Sequence, residues 1–100
     1  MKPIDMDPRA KAEYQAAVAW YEEQRAGLGV ELILEVDKAF ETIQESPERF
    51  PIIARNDVRQ YMLKRFPYSV VYASLEDRIW VAAVAHHKRD PDYWQRRKPD

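Results

Sequence analysis

Two adjacent histidines, His86 and His87, are the side chains best suited to acid–base chemistry near neutral pH, because imidazole titrates there. They fall in a run of strand-forming residues, where successive side chains point to opposite faces, so they cannot chelate a metal from one side and only one can serve a given site. His86 either acts in such a site or hydrogen-bonds Asp90 or a backbone group and orders the end of its strand. His87 reads first as an exposed residue at a strand edge. Positive charge comes from Arg59, Lys64, Arg65, Arg89, Arg96 and Arg97. Period-two geometry puts Arg59 and Arg65 on one face of their strand and Lys64 on the other if no bulge intervenes, so they do not form one patch, and some are expected to pair with acidic helices. The arginines after Trp94 are candidates for a contact surface. Trp20, Tyr68, Tyr72 and Trp80 read as core or groove lining, because they lack the interleaved basic and aromatic pattern of a single-strand RNA binder. The chain has no cysteine, which excludes disulfides, thiolate metal sites and a cysteine nucleophile; no metal site and no cofactor is expected.

The elements that must position these residues are legible from caps and periodicity. Asp7-Pro8 starts a helix: the Asp side chain accepts from free N–H groups of the first turn, and Pro at the first helical position loses no needed donor. Ala10, Tyr14, Ala17, Val18 and Tyr21 then share one face of a helix running to about Arg25. Gly27-Leu28-Gly29 permits a tight reversal, and Leu28, Leu32, Val36, Ala39, Phe40 and Ile43 form the stripe of a second helix ending before Ser46-Pro47. Glu22, Glu23, Glu31, Glu35, Glu41 and Glu45 mostly face solvent in this reading. After Pro47 to Pro51 the residues become β-branched and aromatic, and three strands are predicted at Val58 to Phe66, Tyr68 to Leu75 and Ile79 to His87. Their links are too short for parallel crossovers, so an antiparallel meander should form with one face against the hairpin. Ile4 to Met6 could add a further short strand, and Asp90-Pro91 should cap a short C-terminal helix carrying Tyr93, Trp94, Arg96 and Arg97. The expected fold is α+β: an antiparallel helical hairpin on a three- to four-stranded antiparallel sheet, as a single domain over residues 1–100.

One hundred residues, 46% apolar and 33% charged, fit one compact domain of an ordinary soluble protein. The longest apolar run, Ile79 to Ala85, is far short of the roughly 20 residues that span a bilayer, and the first residues lack a secretory pattern, so a cytoplasmic protein without membrane contact is expected. The net charge of −1 conceals an asymmetry: residues 1–50 hold six basic and eleven acidic side chains, residues 51–100 ten and six. The halves either attract each other within one fold, or the basic half offers a surface to an acidic partner or nucleic acid.

Four segments in this order carry a resemblance: Trp20-Tyr21-Glu22-Glu23-Gln24-Arg25-Ala26-Gly27-Leu28-Gly29, Ser46-Pro47-Glu48-Arg49-Phe50-Pro51, Phe66-Pro67-Tyr68, and His86-His87-Lys88-Arg89-Asp90-Pro91-Asp92-Tyr93-Trp94. Together they resemble RelE/ParE toxins of type II toxin-antitoxin systems over nearly the full length. The resemblance implies a helical hairpin on an antiparallel sheet and a cognate antitoxin, usually the product of the adjacent gene. It also implies one of two modes of action, a ribosome-dependent messenger RNA endonuclease or an inhibitor that poisons DNA gyrase.

Metal-free RNA cleavage needs a base for the 2′-hydroxyl, an acid for the leaving oxygen and fixed positive charge at the phosphate. The nuclease branch supplies these from two strand lysines, an arginine after the Pro-Tyr tyrosine, and an arginine and a tyrosine near the C-terminus. Lys64 matches one lysine, but Met62 stands at the other; Ser69 follows Tyr68 where the nuclease has arginine. Arg89 matches, and Tyr93 matches if the local spacing differs. One lost oxyanion donor costs about 3 kcal/mol of transition-state stabilisation, so the incomplete clamp favours the ParE-like, gyrase-directed branch. If the chain is a ribonuclease, Lys64, His86, Arg89 and Tyr93 are its candidate catalytic residues. For a target or partner, the candidates are Arg59, Arg65, Tyr68, Arg89, Trp94, Arg96 and Arg97. A ribosome-dependent nuclease acting on mRNA and a non-toxic regulatory binding domain are the alternatives.

Overall fold

The computed structural model describes all residues, Met1 to Asp100. Helix α1 spans Pro8–Gln24, and the Asp7 carboxylate caps it by accepting the Arg9 N–H at 2.9 Å. Asp7 is itself 5% exposed, and its hydrogen bonds from Arg9 hold its carboxyl below the ordinary carboxylate range. Helix α2 spans Leu28–Glu45. Gly27 takes the left-handed backbone the reversal requires, with φ of 90°. The two helices touch closely at Gly29, where an added Cβ would lie 2.7 Å from the Val18 carbonyl oxygen. The Glu22 carboxylate accepts the N–H groups of Gly27 at 2.9 Å and Gly29 at 3.0 Å, satisfying donors that the start of α2 would otherwise leave free.

Five strands form one sheet in the order β1-β5-β4-β3-β2, with β1 Ile4–Met6, β2 Ile52–Ala54, β3 Val58–Met62, β4 Tyr68–Ser74 and β5 Ile79–His86. The expected meander is β3-β4-β5, antiparallel throughout. Three features differ from expectation. Strand β1 pairs parallel with β5, so the sheet is mixed; Ile79 donates to the Pro3 carbonyl at 2.9 Å, and Arg78 reaches Asp5 at 2.9 Å. Strand β2 is an additional edge, joined to β3 through Asn56 and Asp57, both in left-handed backbone with φ of 61° and 54°. This is the geometry of a primed hairpin turn, which Asn and Asp tolerate. The third difference is at the C-terminus: residues 91–96 make successive turns, not a helix. The Asp90 carboxylate does accept the Asp92 N–H, but the backbone bonds that follow run from Tyr93 to Asp90, Gln95 to Asp92 and Arg97 to Trp94. These three-residue spacings never propagate into a four-residue ladder, because so short a segment does not offset helix nucleation and Trp94 and Arg97 are drawn onto the sheet. Asp57→Gly relieves one left-handed residue and is expected to raise stability by about 0.5 to 1 kcal/mol, a gain of a few degrees in Tm by thermal melting.

A bulge decides which side chains face where. Val71 pairs with Ala83 but Tyr72 pairs with Val81, so Ala82 is the extra residue in β5. Ile79, Val81 and Val84 consequently join Val70, Tyr72, Leu32, Val36 and Ile43 under the helices, while Trp80, Ala82 and Ala83 pack with Val71, Ala73 and Trp94 on the other face. Beyond the bulge the alternation is inverted, which carries His86 to the helical side and His87 to the other.

Candidate functional site

The face away from the helices is covered along its middle by the C-terminal turns, with Trp94 seated on Val71, Ala73, Trp80 and Ala82. On one side of Trp94 lies a cleft of about 330 Å³ lined by Gln60, Met62, Ser69, His86, His87 and Arg89. On the other lies a larger groove of about 700 Å³ floored by Val58, Ala73, Trp80 and Ala82.

Within the smaller cleft Ser69 Oγ and His87 Nε2 are 3.0 Å apart. Ser69 is buried and His87 exposed, so the edge residue of the sequence reading is the histidine that faces the cleft. His86 packs edge-on against Tyr68 with ring centroids 5.0 Å apart on the helical side, and its Nδ1 accepts the Lys88 N–H at 3.0 Å. Of the two partners expected for it, Asp90 or a backbone group, His86 takes the backbone one. Tyr68 in turn lies against Tyr21, and burial raises its phenol above the ordinary range.

The basic residues disperse. Arg59 donates to the carbonyls of Glu48 and Phe50, both at 2.8 Å, and fastens the loop before β2. Strand β3 ends before Lys64, so strand periodicity no longer governs Lys64 and Arg65. Both backbone N–H groups there donate to Glu35, and Arg65 pairs with Glu31 at 2.6 Å. Glu22, Glu31 and Glu35 thus have structural partners and do not simply face solvent. Arg96 is exposed.

Glu13, which sequence reasoning passed over, organises the rest. With its side chain 14% exposed on α1, it accepts the Val84 N–H at 3.1 Å and both Arg97 amino groups at 3.2 and 2.8 Å; Arg89 approaches to 3.4 Å. Arg97, 9% exposed, also donates to the Ala82 carbonyl at 2.9 Å. Arg89 stacks over the Tyr93 ring at 3.7 Å and Arg97 at 5.1 Å. The Tyr93 hydroxyl is buried with no protein hydrogen-bond partner; burial foremost, then the nearby Glu13 carboxylate, pushes it up to about 12. The sequence signal for Glu13 was faint: an acid on the flank of the Ala10-Tyr14-Ala17 stripe. Tyr93→Phe, which deletes an unsatisfied buried hydroxyl, is expected to leave urea stability unchanged or raise it by up to about 1 kcal/mol.

Four proposed catalytic residues therefore do not form one constellation. Arg89 and Tyr93 touch, Lys64 lies beyond the end of β3 beside Glu35, and His86 is on the opposite face of the sheet from His87. With this geometry in view, the sequence matches the family described as the ParE toxin of the type II toxin-antitoxin system parDE over residues 4–91. The chain belongs to the ParE toxin family. The chromosomal ParDE system of P. aeruginosa contains a chain of the same fold, with a TM-score of 0.74 at 16% identity, covering 86% of this chain and 96% of that one. No curated protein matches the sequence. This ParE-family chain is thus a type II toxin built as two helices on one face of a mixed sheet, and none of its helices is long and apolar enough to cross a membrane.

Proposed function

We propose that this toxin arrests growth by binding and poisoning DNA gyrase, and that a cognate antitoxin, encoded beside it, silences it by covering its surface. The observation carrying the first part is the state of the cleft where a nuclease would hold its phosphate. Ser69 and Met62 stand there in place of cations, Arg89 is occupied by Tyr93 and Glu13, and the Tyr93 hydroxyl is buried too deeply to meet a substrate. A transition state gaining negative charge would find one half-engaged arginine and the His87 imidazole, with His86 also lining the cleft but its ring turned against Tyr68, where several preorganised donors are needed. Binding a protein target makes no such demand, and exposed Arg96 together with the Trp94 segment are the proposed contacts, with Arg59, Arg65, Arg89 and Arg97 acting through the folds they hold and Tyr68 at the rim beside His86.

A ribosome-dependent ribonuclease is the second reading, favoured only by the Ser69-His87 pair, which could place an acid–base imidazole in the cleft. Inducing the protein in cells and following chromosomal DNA and messenger RNA separately distinguishes them. Gyrase inhibition predicts early double-strand breaks with intact transcripts; transcripts cut in frame, with DNA unbroken, would reject it. Growth that continues on induction would mean a regulatory binding domain instead.

A further inference from the structure

We propose that Ser69 and His87 are a nucleophile and a general base that hydrolyse small neutral carboxylic esters in the smaller cleft. This activity is separate from the gyrase reading and does not rest on it.

The two side chains meet because of how the strands are fastened. Ser69 sits near the start of β4 opposite Ala85, and the His87 N–H donates to the Pro67 carbonyl at 2.9 Å, which fixes the backbone two residues beyond that pair. Ser69 Oγ then lies 3.0 Å from His87 Nε2, within the reach at which an imidazole takes a hydroxyl proton. Ser69 is 4% exposed yet lines the cleft, so a molecule must enter the cleft to meet its hydroxyl. The other serine of β4, Ser74, is placed differently: its hydroxyl accepts from Lys2 Nζ at 2.9 Å. His87 enters no ion pair, so the arrangement is a dyad with no carboxylate to orient the ring, and its turnover should be slow.

Charge and size select the substrate. Arg89 is the one cation lining the cleft, while Asp90 and Asp92 line it too, so +1 and −2 sum to −1 with the histidines neutral. A phosphodiester enters already negative and gains further charge against that field. A carboxylic ester enters neutral and develops a single negative charge, for which Arg89 and the Gln60 amide are the donors at hand. Ile53, Met62, Val71 and Ala85 supply apolar walls, and about 330 Å³ admits a short acyl chain with a compact alcohol. In the reaction Ser69 Oγ attacks the carbonyl carbon as its proton passes to His87 Nε2. The bond from that carbon to the ester oxygen then breaks, and the leaving oxygen takes the proton from His87. Water repeats both steps on the acyl-serine, giving its proton to His87 and then to Ser69 Oγ, and the acid is released.

Incubating the full-length chain with p-nitrophenyl acetate tests this, with p-nitrophenolate followed by absorbance and the acetyl group located by peptide mass spectrometry. Wild type should release p-nitrophenolate continuously and carry acetyl on Ser69. His87→Gln should slow both by about 100-fold, and Ser69→Ala should leave only the background reaction of buffer and surface lysines. Ser74→Ala should match wild type, and circular dichroism should show every variant folded. Wild type that carries no acetyl on Ser69 overturns the proposal, as does a His87→Gln variant that acetylates Ser69 at the wild-type rate. Acetylation of Ser69 without continuing release rejects the esterase assignment as well. Cleavage of bis(p-nitrophenyl) phosphate with p-nitrophenyl acetate left intact would mark a phosphodiesterase instead, and the proposal would be wrong.

Discussion

Glu13→Ala is expected to destabilise the protein by about 3 to 4 kcal/mol, because it strands the nearly buried Arg97 guanidinium and the Val84 N–H without their acceptor. Breaking one partner of a buried pair costs far more than the pair contributes, since the remaining charge stays desolvated. Arg89→Ala should cost well under 1 kcal/mol, because its contact to Glu13 is long and its side chain half exposed. Replacing both Glu13 and Arg97 by leucine should recover much of the Glu13→Ala loss, since neither charge is then left alone. Urea midpoints of wild type and the three variants measure this. The same substitution has a local signature: Arg97 no longer ties residues 90–98 to β5, so Trp94 should gain solvent and the fluorescence emission should shift to the red. Trp20, already 56% exposed, contributes a constant background. A Glu13→Ala protein within 0.5 kcal/mol of wild type would contradict the view that α1 holds the C-terminal segment in place.

Tyr72→Ala should cost a similar amount, about 4 kcal/mol, and for a different reason. Tyr72 is fully buried at the centre of β4 among Leu32, Val36, Val70 and Val81, so truncation removes an aromatic ring and leaves a cavity. Tyr72→Phe separates packing from hydrogen bonding. It keeps the ring and removes only the hydroxyl that donates to the Pro47 carbonyl at 2.7 Å, and should cost about 1 kcal/mol near neutral pH. Burial pushes the Tyr72 phenol up to about 12 from 10.0. The folded state thus holds this proton more tightly than the unfolded chain does, and the associated stability is fully present below about pH 10 and lost as pH rises toward 12. Tyr72→Phe carries no such proton. Its deficit relative to wild type should therefore narrow in denaturant melts above pH 10, and a deficit that widens there would contradict the assignment.

The helical hairpin was legible because its information is local. The Asp7-Pro8 start, the stripe from Leu28 to Ile43 and the Gly27 reversal each act within a few residues, and α1 and α2 begin and end where those signals stand. The meander was legible for the same reason. What escaped depended on contacts distant in sequence. Ile4–Met6, only three residues long, was read as a possible strand, but its parallel pairing with β5, some seventy-five positions away, was not. Ile52–Ala54 is equally short, and the Asn56-Asp57 turn signal beside it was the one available clue. Asp90-Pro91 has the chemistry of a helix start, yet tertiary contacts of Trp94 and Arg97 override it.

The site was read less completely than the fold, and the bulge at Ala82 shows why. Adjacent histidines do face opposite ways, as strand geometry requires, but which ring meets Ser69 and which packs on Tyr68 depends on a single inserted residue that inverts the alternation. No pattern in the sequence marks that insertion. Likewise, Met62 and Ser69 were readable as departures from a phosphate clamp, whereas the engagement of Arg89 by Tyr93 and Glu13 becomes visible only when α1, β5 and the C-terminal turns come together.

Whether the toxin binds its target or cuts it can be decided by titration. Purified chain is added to a fixed amount of gyrase acting on relaxed plasmid and, in parallel, to ribosomes translating a defined message. Inhibition by binding predicts loss of supercoiling and trapped linear DNA that saturate as the toxin approaches the gyrase concentration, with the message intact. Message cut on the ribosome by toxin well below the ribosome concentration, while gyrase supercoils unimpeded, would contradict it.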